Sequence, residues 1–119
     1  MSEIIVREAI SRGLREALEN DDRVLLMGED IGTYKGSYAV TRGFLEDYGP
    51  DRVRDMPIAE SIIVGSAVGA AMAGLRPIVE IMTINFALLA MDQIVNHAAK
   101  LRYMSNGQLT VPIIIRTVT

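Results

Sequence analysis

Apolar residues along this chain alternate between short continuous runs and longer stretches of helical period. From Val6 to Asn20, Val6, Ile10, Leu14 and Ala17 share one face while Arg7, Arg12, Arg15 and Glu19 lie mostly elsewhere, which predicts an amphipathic helix ended by Asn20-Asp21-Asp22. Arg23 to Met27 (RVLLM) is a short continuous apolar run, as expected of a strand covered on both faces, and Gly28-Glu29-Asp30 closes its carboxyl end. Ligand-binding loops leave parallel strands at that end. The following loop, Ile31 to Val40 (IGTYKGSYAV), has no periodicity and reads as a surface loop or partner contact. Thr41 is placed to cap a short helix through Tyr48, with Gly49-Pro50 as its stop.

Val53 to Asp55 reads as the end of a buried strand. Pro57 stops it, having no N–H for the ladder and a fixed φ. From Glu60 onward a helix is expected, with Gly65, Gly69 and Ala73 recurring on one face that lets another backbone come close. Gly74-Leu75-Arg76-Pro77 separates it from a strand at Ile78 to Ile81; a long helix over Asn85 to Tyr103 and a last strand at Pro112 to Arg116 complete the chain. Alternating β and α runs joined by short links predict an α/β fold, a parallel sheet with helices on both faces.

Glu60 stands at the strand-to-helix turn with Ile58, Ile62, Ile63 and Val64 as sequence neighbours. Desolvation there would raise its pKa by disfavouring the charged form, which suits acid–base work. The plainer alternative is an acidic residue in a first helical turn, worth only about 0.3–1 kcal/mol against the dipole. A capping box does not explain it, because the residue three positions earlier is Pro57. His97, the only histidine, has no evident acidic partner and reads as structural or exposed. Gly28 and Gly32 do not make a GxGxxG loop, so a dinucleotide site is unsupported. The apolar stretch Ile62 to Leu75 is too short to span a membrane and is followed by Arg76.

At 119 residues the chain is one small domain, near the lower end of what a layered α/β unit needs. An apolar fraction of 50%, a formal net charge of −3 and the lack of cysteine exclude a disulfide framework and a thiolate metal site and offer no nucleic-acid surface. The opening MSEIIVREAI has early acidic residues and no apolar core, so it predicts neither a signal peptide nor a transit peptide. The expectation is a soluble intracellular protein with no membrane or nucleic-acid partner.

The segments RVRDMPIAESIIVGSAVGAAMAGLRPIVEIMTINF and LLAMDQIVNHAAKLRYMSNGQ closely resemble the beta subunit of the pyruvate dehydrogenase decarboxylating component, in the transketolase-like superfamily of thiamine diphosphate enzymes. The family pattern of a Glu followed by spaced Gly and apolar residues is met by Glu60, Gly65, Gly69 and Ala70, with Ser66 where the family usually has an apolar residue. The resemblance covers essentially the whole chain and implies a transketolase-like pyrimidine-binding domain over 1–119, ending short of its full length, with the carboxy-terminal transketolase domain and the catalytic histidine beyond it.

It further implies that Glu60 hydrogen-bonds a ring nitrogen of the cofactor's aminopyrimidine and promotes the imino tautomer, and that Met82 and Phe86 line the pyrimidine pocket. Leu89 stands where some relatives carry Gln near the ring, and Ile113 matches a position whose backbone carbonyl helps bind a structural potassium ion. Magnesium and the diphosphate would be held by an alpha subunit in an α2β2 heterotetramer that hands acyl groups to a dihydrolipoamide acyltransferase core. Pyruvate is the expected substrate, with acetoin and branched-chain 2-oxo acid dehydrogenases as alternatives. Alone, the chain is expected to be inactive. A non-catalytic assembly module is the reading from a different class. The expected compartment is the bacterial cytoplasm, or the mitochondrial matrix or plastid if a transit peptide has been removed.

Overall fold

The computed structural model describes residues 3–119, so Met1 and Ser2, the first residues of the amino-terminal stretch read above, lie outside it. Helix α1 (Val6–Asn20) leads into strand β1 (Val24–Gly28), short helix α2 (Phe44–Tyr48), strand β2 (Val53–Asp55), helix α3 (Glu60–Met72) and strand β3 (Arg76–Ile81). A segment of mixed helical turns, containing the short α4 (Leu101–Met104), precedes strand β4 (Ile114–Thr117). The four strands form one parallel sheet in the order β2-β1-β3-β4.

Strand alternation divides the core in two. Val24, Leu26, Val53 and Ile78 point to the side covered by α1 and α2, where they meet Leu14, Leu18 and Phe44. Leu25, Met27, Val79 and Ile81 point the other way, onto Ile63, Val64, Ala67 and Val68 of α3. Every residue of β1 is buried, which is why that strand reads as an uninterrupted apolar run rather than an alternating one. Helices thus cover both faces, as expected.

Three local expectations are corrected. The predicted strand edges move: β1 includes Gly28 and begins at Val24, and β4 runs from Ile114 to Thr117 rather than from Pro112. Thr41 does not cap α2. That helix starts after Gly43, whose φ of 80° is left-handed, while Thr41 is buried and its Oγ1 donates to the Ile31 carbonyl at 2.5 Å. The hydroxyl closes the preceding loop instead of the following helix.

The long helix over Asn85 to Tyr103 is broken into a 3-10 turn (Ile84–Ala90), a π-helical turn (Gln93–Ala98) and α4. Residues that pack toward α3 fall three apart at Ala87 and Ala90 and four apart at Ile94 and Ala98, and the change of pitch keeps all of them on that side. On the small-residue face of α3, an added Cβ at Gly65 would lie 3.1 Å from Gln93 Oε1, while Gly69 and Ala73 are exposed. No helix among the described residues is long and apolar enough to cross a membrane.

Candidate functional site at the carboxyl edge of the sheet

The chain leaves β1 toward β2 on one side and leaves β3 toward β4 on the other. Between those adjacent strands the connections diverge, opening the crevice in which α/β sheets bind ligands. Glu29 follows β1 and Met82 follows β3, so both stand at its mouth. Gly28 permits the close approach there: an added Cβ would meet the Glu80 carbonyl oxygen and Ile31 Cγ2, each at 2.9 Å.

Glu60 reaches the same edge from β2. Met56 N–H donates to the Gly28 carbonyl at 2.8 Å, Pro57 ends the strand, and Ala59 precedes the first turn of α3 with its carbonyl accepting from Ile62 and Ile63. The helix has no side-chain cap, so Glu60 is free to point inward. It keeps only 5% of its accessible surface, and its carboxylate oxygens, which have no hydrogen-bond partner among the described residues, retain a narrow contact with solvent. A buried carboxylate normally finds a donor. The other buried acid, Glu80, does so: it pairs with Arg116 and accepts from Ser37 N–H at 3.1 Å. Glu60 therefore has the character of an acceptor held ready for a donor supplied from outside the chain.

Glu29 is the neighbour that the sequence reading missed. Burial pushes its carboxyl above the usual carboxylate range, and the charges of Asp30 and Glu60 push it further. The two acids belong to different strand ends and become neighbours only through parallel pairing of β1 with β2.

Asp55, at the end of β2, joins the same two loops, since its Oδ1 accepts from Gly32 N–H at 2.6 Å and its Oδ2 accepts from Thr33 N–H at 2.9 Å and Thr33 Oγ1 at 2.7 Å. Partial burial would raise the Asp55 carboxyl, but these donors outweigh it and hold the group below its ordinary range.

Met82 is half-buried directly after β3, and Phe86, 40% exposed, sits in the 3-10 turn that packs on α3. Ser61 Oγ donates to the Leu89 carbonyl, which ties the first turn of α3 to that segment. Leu89 itself is exposed. Ile113 lies before β4, at the amino edge of the sheet and so opposite Glu60. His97 is exposed and, contrary to the sequence reading, has an acidic neighbour: the π-helical pitch brings Asp92 Oδ2 within 3.8 Å of Nδ1. Both groups are exposed to solvent. Among the described residues no cluster of three or more His, Cys, Asp and Glu side chains is arranged to hold a metal ion.

Residues 2–118 match the family described as transketolase, pyrimidine binding domain. The chain is 56% identical over 114 residues to the pyruvate dehydrogenase E1 component subunit beta of Rickettsia bellii, covering 96% of this chain and 35% of that one. It is 53% identical over 116 residues to the subunit of the same name from Staurastrum punctulatum, covering 98% and 35%. With the mitochondrial subunit from Bos taurus it shares 53% identity over 114 residues, covering 96% and 32%. The chain thus spans about a third of the length of these relatives.

Proposed function

The chain belongs to the transketolase pyrimidine-binding domain family, and from that premise we propose that it forms the pyrimidine-binding wall of a thiamine diphosphate site in the beta subunit of a pyruvate dehydrogenase. The observation that carries this reading is Glu60, buried to 5% at the carboxyl edge and without a hydrogen-bond partner among the described residues. An acceptor of this kind fits a ring nitrogen of an aminopyrimidine. When bound, thiamine diphosphate supplies a nucleophilic thiazolium carbon and an electron sink for decarboxylating a 2-oxo acid.

The chain's own part is orientation and proton control. Glu60 offers its carboxylate as the acceptor for a ring nitrogen of the aminopyrimidine. Glu29, whose carboxyl is pushed up by burial and by the charges of Asp30 and Glu60, stands at the same edge as a second acid near it. Met82 and Phe86 enclose the ring and exclude solvent. Magnesium and the diphosphate are held by an alpha subunit in an α2β2 heterotetramer, and the acyl group passes to a dihydrolipoamide acyltransferase core. The Ile113 carbonyl, at the opposite edge, is a ligand for a structural potassium ion. Pyruvate is preferred over acetoin or branched-chain 2-oxo acids because the relatives named above are all pyruvate dehydrogenase subunits. The bacterial cytoplasm is the proposed compartment, and a mitochondrial or plastid form is the alternative.

Glu60→Gln in the assembled enzyme tests the reading. Loss of turnover with folding and assembly intact is the expected result, and normal turnover would overturn it. Calorimetric titration of thiamine diphosphate with magnesium gives a second check. Binding is expected only when the alpha subunit is present, and tight binding to this chain alone would mean that the diphosphate site is misplaced.

A further inference from the structure

Two loops carry the paired acids. One leaves β1 with Glu29 and continues through Asp30, Ile31, Gly32 and Thr33; the other leaves β2 and turns through Pro57 to Glu60. Their backbones share the bond from Met56 N–H to the Gly28 carbonyl. Beyond it, Asp55 is the only side chain among the described residues that hydrogen-bonds from one loop to the other, and it takes three donors at 2.6, 2.9 and 2.7 Å. Such charge-assisted bonds are about twice as strong as neutral ones.

The fit is tight as well as strong. An added Cβ on Gly32 would sit 3.1 and 3.2 Å from the two carboxylate oxygens of Asp55. The β1 loop needs this hold. Asp30, the residue that turns the chain directly after Glu29, has a φ of 55°, a left-handed conformation that costs a non-glycine residue about 1 kcal/mol and persists only where surrounding contacts enforce it. Lys35, Tyr38 and Ala39 further along the same loop are also left-handed.

We propose that Asp55 is a positioning residue, which fixes the placement of Glu29 relative to Glu60 by clamping the Gly32-Thr33 backbone to the end of β2. It touches neither acid through a hydrogen bond and acts through the loop. The inference rests on the reading of Glu60 given above, and the experiment separates the two.

In the assembled enzyme, Asp55→Ala, Asp55→Asn and Glu60→Gln are compared by kcat, by KM for pyruvate, and by the circular-dichroism bands that distinguish the amino and imino tautomers of the bound aminopyrimidine. Asp55→Ala is expected to lower kcat about 100-fold, the order seen when catalytic groups are misplaced by about an ångström, with KM unchanged and the tautomer bands shifted. Asp55→Asn retains one acceptor oxygen and should recover part of both. If Glu60→Gln abolishes turnover and the imino band while Asp55→Ala stays within about twofold of the parent in both, the clamp is refuted and the reading of Glu60 stands. If Glu60→Gln changes neither, both fall together.

Should Asp55→Ala fail to assemble, Thr33→Val decides. It deletes only the hydroxyl donor of an exposed residue. An approximately threefold loss of kcat with a band shift in the same direction supports the clamp, and no change in either overturns it.

Discussion

Glu80 and Arg116 are register partners on neighbouring parallel strands and form an ion pair inside the molecule, the arginine 14% exposed and the glutamate 5%. Glu80 Oε1 accepts the Ser37 N–H, so one carboxylate joins β3, β4 and the loop after β1. Desolvating two charges is expensive, and the pair repays that only while both partners are present. Arg116→Met alone should therefore cost about 3 kcal/mol, and the double variant Glu80→Leu/Arg116→Met should recover most of it. A double-mutant cycle by urea unfolding checks this. Additive losses would mean that the two charges act independently.

Two glycines should respond to alanine with opposite signs. At Gly28 the new methyl meets the Glu80 backbone carbonyl at 2.9 Å, and backbone within a ladder cannot move aside. Gly28→Ala should destabilise by about 2 kcal/mol through overpacking. Gly13, inside α1, has nothing within 4 Å of an added Cβ, and Gly13→Ala should stabilise by about 0.5–1 kcal/mol through helix propensity and a less flexible unfolded chain. Thermal unfolding of the two variants side by side reads both signs.

The carboxyls of Glu29 and Asp55 should give opposite pH dependences. The Glu29 carboxyl is raised from 4.5, first by burial and then by Asp30 and Glu60, so the folded chain keeps its proton longer than the unfolded chain. Stability then falls as pH rises from 4.5 through the raised value. The Asp55 carboxyl is lowered from 3.8, so its contribution is present above 3.8 and is lost as pH falls through the lowered value. At about pH 7, Glu29→Gln should be more stable than the parent and Asp55→Asn less stable, both differences shrinking in strong acid. Unfolding midpoints measured across pH test this; a Glu29→Gln variant less stable than the parent near neutrality would contradict it.

The sheet and its two layers were legible because buried parallel strands write continuous apolar runs, as at Val24–Gly28 and Arg76–Ile81, and because Pro57 punctuates the turn before Glu60. The place of Glu60 at the carboxyl edge was legible from Pro57 and the strand before it. The residues around it were not. Glu29 reads locally as a strand-ending acid, and the bonds of Asp55 reach 22 and 23 residues back along the chain, a separation with no periodic signal. The break in the helix over Asn85 to Tyr103 was equally hidden, since apolar residues three and four apart suit 3-10, α and π turns alike.

Arg52 shows how much one unremarked residue can hold. Its Nε donates to the Val24 carbonyl at 2.5 Å, and its Nη2 donates to the Leu18 and Asp21 carbonyls at 2.9 and 3.0 Å. Leu18 belongs to the last turn of α1, whose carbonyls have no partner within the helix. The guanidinium thus caps α1 and fastens it to β1 through a planar fork of donors. Arg52→Ala should cost about 2 kcal/mol, because it removes charge-assisted bonds and leaves carbonyls at a partly buried site unpaired. Arg52→Lys keeps the charge, but a single ammonium cannot reproduce the fork, so it should recover less than half of the loss. Urea unfolding of both variants distinguishes geometry from charge: a lysine that restored full stability would show that charge alone matters at the end of α1.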